Sequence, residues 1–230
     1  MMKNTKNRLL MAIAMLLFAA FMLFASCTRV QAQQFDPENH FTAWPIDGGT
    51  GMQITLYTGE NRVVRIPPTI RGLPVTAIGN EAFRGLGLTS VSIPDSVTRI
   101  GDRAFADNQL TSVNIPNSVT SIGQAAFAIN QLTSVTIPNN VTSIEEGAFY
   151  NNQLTSVKIP DSVTSIGQAT FAENRISSIS IGANVDLLYR LPDGRIHHPF
   201  DNNFHVFYNN NGRRAGVYTW NGTAWSFSER

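Results

Sequence analysis

Apolar residues return along this chain at a fixed interval. Phe83, Phe105, Phe127, Phe149 and Phe171 are each twenty-two residues apart, and the same step links Ile78, Ile100, Ile122, Ile144 and Ile166. Leu88, Leu110, Leu132, Leu154 and Ile176 keep it too, as do Pro94, Pro116, Pro138 and Pro160. A period held at four independent positions marks a solenoid, in which each unit buries its apolar side against its neighbours. Within the unit from Leu88 to Gln109, Val91 and Ile93 share one face of a short strand while Ser90 and Ser92 share the other. Pro94 has no N–H to donate and ends the strand, and Pro94-Asp95-Ser96 suits a turn. On the return path Val97, Ile100, Ala104 and Phe105 point inward, the last three at spacings compatible with one or two loose helical turns. Strands beginning near Val63, Val91, Val113, Val135, Val157 and Ile179 are expected to form one parallel sheet.

The five phenylalanines predict an aromatic column inside the solenoid, with rings stacked offset along its axis, as the principal source of cohesion. Phe83, nearer an end where relaxation is easier, is expected to matter less than Phe127. Asn108, Asn130, Asn152 and Asn174 recur at the closing corner, where a short amide bonds backbone groups and tolerates a left-handed conformation. Gly79, Gly101, Gly123 and Gly167 share a position that Glu145 also occupies, so this position does not require positive φ.

The unit L-x-x-V-x-I-P-x-S-V-x-x-I-G-x-x-A-F-x-x-N-x resembles the BspA-like, Treponema pallidum-type leucine-rich repeat, over about Tyr57 to Ile181. The resemblance implies a curved right-handed solenoid, mostly β with short irregular or helical return paths. It also implies a bacterial surface protein in a family associated with adhesion to host matrix proteins and to other bacteria.

A solenoid needs capped ends, because terminal coils otherwise expose core and strand edges. The organisation read from the chain is an export signal over 1–32, cap strands over 33–62, repeats over 63–182 and an aromatic cap over 183–230. In the first cap, His40 to Trp44, Met52 to Tyr57 and Val63 to Ile66 read as strands. In the last, Phe204, Phe207 and Tyr208 suggest a short helix ending near Asn211-Gly212, and Asn221-Gly222 signals a hairpin with Tyr218, Trp220, Trp225 and Phe227 on one face. That aromatic face is read as a lid over the last coil, with an exposed platform for sugar or protein as the alternative.

Lys3, Lys6 and Arg8 precede an apolar run from Leu9 to Ser26, which together read as an export signal. Cys27, the single cysteine, ends that run in a segment similar to a bacterial lipobox and is the candidate lipidation site. Cleavage after Ala32 would instead give a soluble secreted product, and an uncleaved run would be an anchor. A formal net charge of +1 with 14% charged residues provides no broad field for a phosphate backbone, so nucleic acid is not expected as a partner.

No nucleophile–base motif, P-loop or metal-ligand spacing occurs, and no cofactor or metal is expected. His197, His198 and His205 with Asp193 and Asp201 are the one grouping conceivable around a metal, and a solvated connector accounts for them equally well. The wet face of the strands carries Ser90, Ser112, Ser134, Ser156 and Ser178 in one row and Ser92, Asn114, Thr136, Lys158 and Ser180 in the next. These ten are the candidate ligand-binding residues; repeated serine is equally a soluble solution to close strand stacking. The reading is a non-catalytic surface scaffold for a host matrix protein, another bacterial surface protein or a glycan, held to a membrane if Cys27 is acylated. Its rivals are an envelope spacer and a carbohydrate-active or metal-dependent enzyme built on the C-terminal segment.

Overall fold

The computed structural model describes residues 35–187, 189–190, 196–198, 200 and 203–229. Residues 1–32, read above as an export signal, and Cys27 within them lie outside the described residues. Strands β1 (Phe41–Ile46) and β2 (Gly51–Tyr57) pair antiparallel and begin the N-terminal cap. After β3 (Val63–Arg65), β4 (Thr69–Ile70) and β5 (Leu73–Ile78) close a hairpin over Arg71-Gly72, both at positive φ, as a two-residue turn of matching twist requires. β2 then lies parallel to β5, which joins the cap to the first coil.

The regular coils contribute β6 (Ser90–Ser92), β7 (Arg99–Ile100), β8 (Ser121–Ile122), β9 (Ser143–Ile144), β10 (Ser156–Lys158), β11 (Ser165–Ile166) and β12 (Ser178–Ile181). The continuous parallel ladder runs β5-β7-β8-β9-β11, on the side of the coil after the proline turn. The side expected to form one six-stranded sheet does not. There β3 pairs with β6 and β10 with β12, Thr136 and Lys158 form a single bridge, and residues 112–114 form no strand. On the other two sides main-chain bonds link successive coils, such as Thr120 N–H to Thr98 O at 2.9 Å and Phe105 N–H to Ala126 O at 2.8 Å. On the Val-x-Ile side the coils are joined beside the strands, by Thr133 N–H to Thr111 O at 3.2 Å and Ser177 N–H to Thr155 O at 2.9 Å.

The return path is not helical. Glu81, Arg103, Ala125, Gly147 and Ala169 all have positive φ, and so do Gly85, Asp107, Ile129, Asn151 and Glu173. Two left-handed residues per coil break any helical turn and aim amides along the solenoid axis, so Arg103 N–H bonds Gln124 O and Asp107 N–H bonds Ala128 O in the next coil. The recurring glycines Gly79, Gly101, Gly123 and Gly167 are not among these residues and have ordinary φ. A Cβ on Gly123 would come within 2.7 Å of Asp102 N and Gly101 C, so glycine there permits close approach of coils. Where Glu145 replaces it, the bond from its N–H to Ile122 O stretches to 3.4 Å, against 2.8 Å for Gly123 N–H to Ile100 O.

The column is longer than the period shows. Phe83, Phe105, Phe127, Phe149 and Phe171 are fully buried and stack at 5.1–5.6 Å, extended by Tyr57 at 5.5 Å from Phe83 and Phe200 at 5.0 Å from Phe171. Phe83 thus has a ring on each side, and also packs on Phe41, so it has no looser end to relax into. Tyr57 closes one end by donating its hydroxyl to buried Asp36 at 3.1 Å. Burial opposes ionisation of Asp36, but bonds from Arg65 N–H, Asn61 and Tyr57 outweigh it and hold the carboxyl below its usual value. Burial and that same carboxylate push Tyr57 up to about 12.

Beyond β12 the described chain forms β13 (Tyr189–Arg190), β14 (Ile196–His197), α1 (Phe204–Asn210), β15 (Gly216–Trp220) and β16 (Trp225–Ser228). β15 pairs antiparallel with β12, and covers that edge. The hairpin pairs Trp220 with Trp225, so its loop has four residues, and Asn221 Oδ1 accepts from Thr223 and Ala224 N–H as a side-chain turn. Phe204, Tyr208, Tyr218 and Trp225 are buried in an edge-on cluster with Phe200, as a lid over the last coil.

Candidate binding face

Alternation along the Val-x-Ile side puts Val91, Val135, Val157 and Ile179 inside and their neighbours outside. Ser90, Ser112, Ser134 and Ser156 are exposed, as are Asn114, Thr136 and Lys158; Ser92, Ser178 and Ser180 are half-buried. Pairing places Val63 beside Ser90, Arg65 beside Ser92, Ser156 beside Ser178 and Lys158 beside Ser180. The two predicted rows thus lie on one face, interrupted as a ladder near Val113.

The face extends past the predicted residues at both ends. Val63 and Arg65 begin its rows, and on the hairpin Thr219 lies opposite Ser178 and Ser226 opposite Thr219. Polar-aromatic alternation in Thr219-Trp220 and Ser226-Phe227 carries this signal, but placing it requires knowing that β15 docks on β12. Asn114 borders a depression of about 290 Å³ with Asp95, Pro116, Asn117 and Ser118 at the neighbouring proline corner. Charge is sparse on the face, whereas Arg84 and Arg103 pair with Glu81, and Arg84 with Asp107, on the return side.

The corner asparagines are structural in detail. Asn130 Oδ1 accepts Leu110 N–H at 3.1 Å, and its Nδ2 donates to Phe105 O, Phe127 O and Ala128 O at 2.9, 3.2 and 3.2 Å. Asn108, Asn152 and Asn174 repeat the pattern. The left-handed residue is the one before each asparagine, not the asparagine itself. Of the histidines, His198 and His205 stack parallel with centroids 3.0 Å apart, and burial followed by His198 lowers His205 to about 4. His197 sits on β14, and Asp193 and Asp201 lie outside the described residues. Among the described residues no group of three metal-ligating side chains converges.

Residues 74–190, about half of the chain, match the family model for the BspA type leucine rich repeat region in six copies, and the chain belongs to that family. Among solved structures, the leucine-rich repeat protein of T. pallidum is 28% identical with a TM-score of 0.57, over 64% of this chain and 72% of that one. The pneumococcal vaccine antigen PcpA is 21% identical with a TM-score of 0.46, over 69% of this chain and 38% of that one. A leucine rich cell surface protein of Faecalibacterium prausnitzii is 26% identical with a TM-score of 0.36, over 71% and 60%. No curated protein matches the chain.

Proposed function

We propose that this chain is an exported, surface-displayed scaffold that captures a protein ligand on the face running from Arg65 through Ser92, Asn114, Thr136 and Lys158 to Ser180. The observation that carries this reading is the recurrence of outward hydroxyl, amide and cationic groups at the same place in successive coils, with Arg65, Asn114, Thr136 and Lys158 all exposed. Rigid donors and acceptors in register lose little side-chain entropy on binding, which favours recognition of another polypeptide's polar surface. Membership of the BspA-type repeat family supports an interaction role, and the face holds no nucleophile paired with a base, so capture without turnover is the function we assign. The leader and Cys27 support export and lipid anchoring, with matrix proteins or other bacterial surface proteins as ligands and a glycan as the other class.

The test is surface plasmon resonance of the full chain against immobilised matrix proteins and glycans, beside the triple variant Asn114→Ala, Thr136→Ala, Lys158→Ala. Loss of a captured protein by about tenfold or more, about 1.4 kcal/mol, with an unchanged melting curve, is expected. Equal capture by both chains would overturn the assignment of the face. Cys27→Ala should move the protein from membrane to soluble fractions, because acylation contributes about 0.8 kcal/mol per buried CH₂.

A further inference from the structure

The asparagine ladder is a series of slots, each filled by a carboxamide from the following corner. Every filled slot offers one main-chain N–H to the amide oxygen and phenylalanine carbonyls to the amide N–H. Phe105 O, Phe127 O and Phe149 O each accept two asparagines, one from their own coil and one from the next. The series then stops. Phe171 O accepts Asn174 alone, and Ile176 N–H, which stands where Leu110 and Leu154 donate to an asparagine, has no partner among the described residues. The next asparagine in the pattern is Asn203, three residues after Phe200 as Asn174 is three after Phe171. It takes φ 56 ahead of α1 with its side chain exposed, and forms no bond to Ile176.

In place of that amide there is a cavity of about 230 Å³, lined by Phe171, Asn174, Ile176, Phe200, Trp220 and Trp225. The two indoles lie 5.5 Å apart at 48° and form an aromatic wall of the cavity that Ile176 and Phe171 also line. We propose that this cavity binds an acetamido sugar, one N-acetylhexosamine unit of a glycan. An acetamido group carries the same carbonyl acceptor and amide donor that asparagine presents in the four preceding corners, so its oxygen takes Ile176 N–H and its N–H takes Phe171 O. The C–H face of the pyranose then packs on the indoles, which offer large apolar faces. The volume is below the roughly 300–1,000 Å³ of sites for drug-sized ligands, so it suits one sugar unit. This site is separate from the face proposed above, and stands whether or not that face binds protein.

Saturation-transfer NMR and tryptophan fluorescence on the full chain test it, with N-acetylglucosamine, glucose and acetamide as probes. N-acetylglucosamine should bind about tenfold or more tighter than glucose, about 1.4 kcal/mol, with saturation strongest at its acetyl methyl, and acetamide should displace it. Trp220→Ala should weaken binding, and the triple variant at Asn114, Thr136 and Lys158 should leave it unchanged. Equal binding of glucose and N-acetylglucosamine would overturn the inference, since the slot would then contribute nothing. So would no binding at millimolar sugar, or tighter binding of an asparagine-containing peptide, which would make the occupant a polypeptide. Because these comparisons use the unaltered chain, they decide the matter even if Trp220→Ala fails to fold.

Discussion

Replacing Asn130 with Asp should reverse the way stability depends on pH. Asn130 is buried, with its oxygen on Leu110 N–H and its nitrogen facing three carbonyls at 2.9–3.2 Å. Asp preserves the shape and the first bond, but sets a carboxylate oxygen against carbonyl oxygens where two N–H groups stood. Protonation is the way out, since a carboxylic acid supplies one donor to that site. The folded-state pKa is therefore raised above the unfolded value of about 3.9. Below about pH 4 the acid is protonated in both states, and the variant loses the second donor, about 1–2 kcal/mol. As pH rises the unfolded chain releases its proton while the folded chain retains it, so stability falls by up to about 1.4 kcal/mol per unit. At pH 7 the added penalty reaches about 4 kcal/mol if the folded pKa is 7 or higher. Asn130→Ala lacks this slope. It strands the Leu110 N–H and removes the amide's bonds at a cost of about 3–5 kcal/mol at any pH, though Phe105 O and Phe127 O retain one asparagine each. Urea melts followed by circular dichroism at pH 4.5 and 7 decide between them. If Asn130→Asp is no less stable relative to wild type at pH 7 than at pH 4.5, the amide does not face the carbonyls as described.

Other changes separate packing, close approach and charge. Phe127→Ala, with a ring on either side, should lose about 3–5 kcal/mol, and Phe83→Ala a similar amount, while Ser134→Ala on the face should shift stability by at most about 0.5 kcal/mol in the same melts. Gly123→Ala drives a Cβ into the backbone of the preceding coil and should cost about 1–3 kcal/mol, although φ there suits alanine. Ile129, exposed at φ 55, should be improved by Ile129→Asn by about 0.5–1 kcal/mol, because Asn151 already holds the equivalent place one coil on; a lower melting temperature would contradict this. The wild-type chain should weaken on acidification. His205 takes up a proton more readily unfolded, at about 6.5, than folded, at about 4, so stability drops by a few kcal/mol as pH falls across that window. Asp36, lowered in the fold, adds to the loss below about pH 4, and His205→Phe should flatten the upper part of the profile.

What the sequence made legible is what side-chain character alone encodes. Phe105 and Phe127 had to be inside and Ser112 and Ser134 outside, because burial sorts residues by polarity whatever the backbone does. The route of the backbone was less legible. Glu81, Arg103 and Ala125 adopt left-handed φ with no glycine to announce it, and the spacing of Ile100, Ala104 and Phe105 imitates a helical turn. Which side carries the ladder was hidden for a related reason. Val-x-Ile alternation reads as strand more strongly than the dipeptide Ser121-Ile122, yet the threonine before that dipeptide, Thr120, supplies the main-chain bond that holds adjacent coils. Phe200 was missed because it falls 29 residues after Phe171, although Phe200-x-x-Asn203 repeats the Phe171-x-x-Asn174 signature.

The departure from the 22-residue period between Phe171 and Phe200 explains why the face was visible and the cavity was not. The face is a property of every coil, so five repeats of one alternation announce it. The cavity is a property of one place where the pattern continues in sequence but fails in space. Phe200 reaches its station in the column, while Asn203 three residues later turns outward to start α1. A filled slot and an empty one therefore carry the same Phe-x-x-Asn signature, and only the unanswered Ile176 N–H distinguishes them. Repetition makes such a vacancy informative: the four filled corners define the chemistry that fits it, a neutral amide with one face toward an N–H and the other toward a carbonyl, before any ligand is known. In a repeat protein the coil that departs from the pattern is thus the place to look for a small-molecule site, and the coils that keep it are the place to look for a macromolecular one.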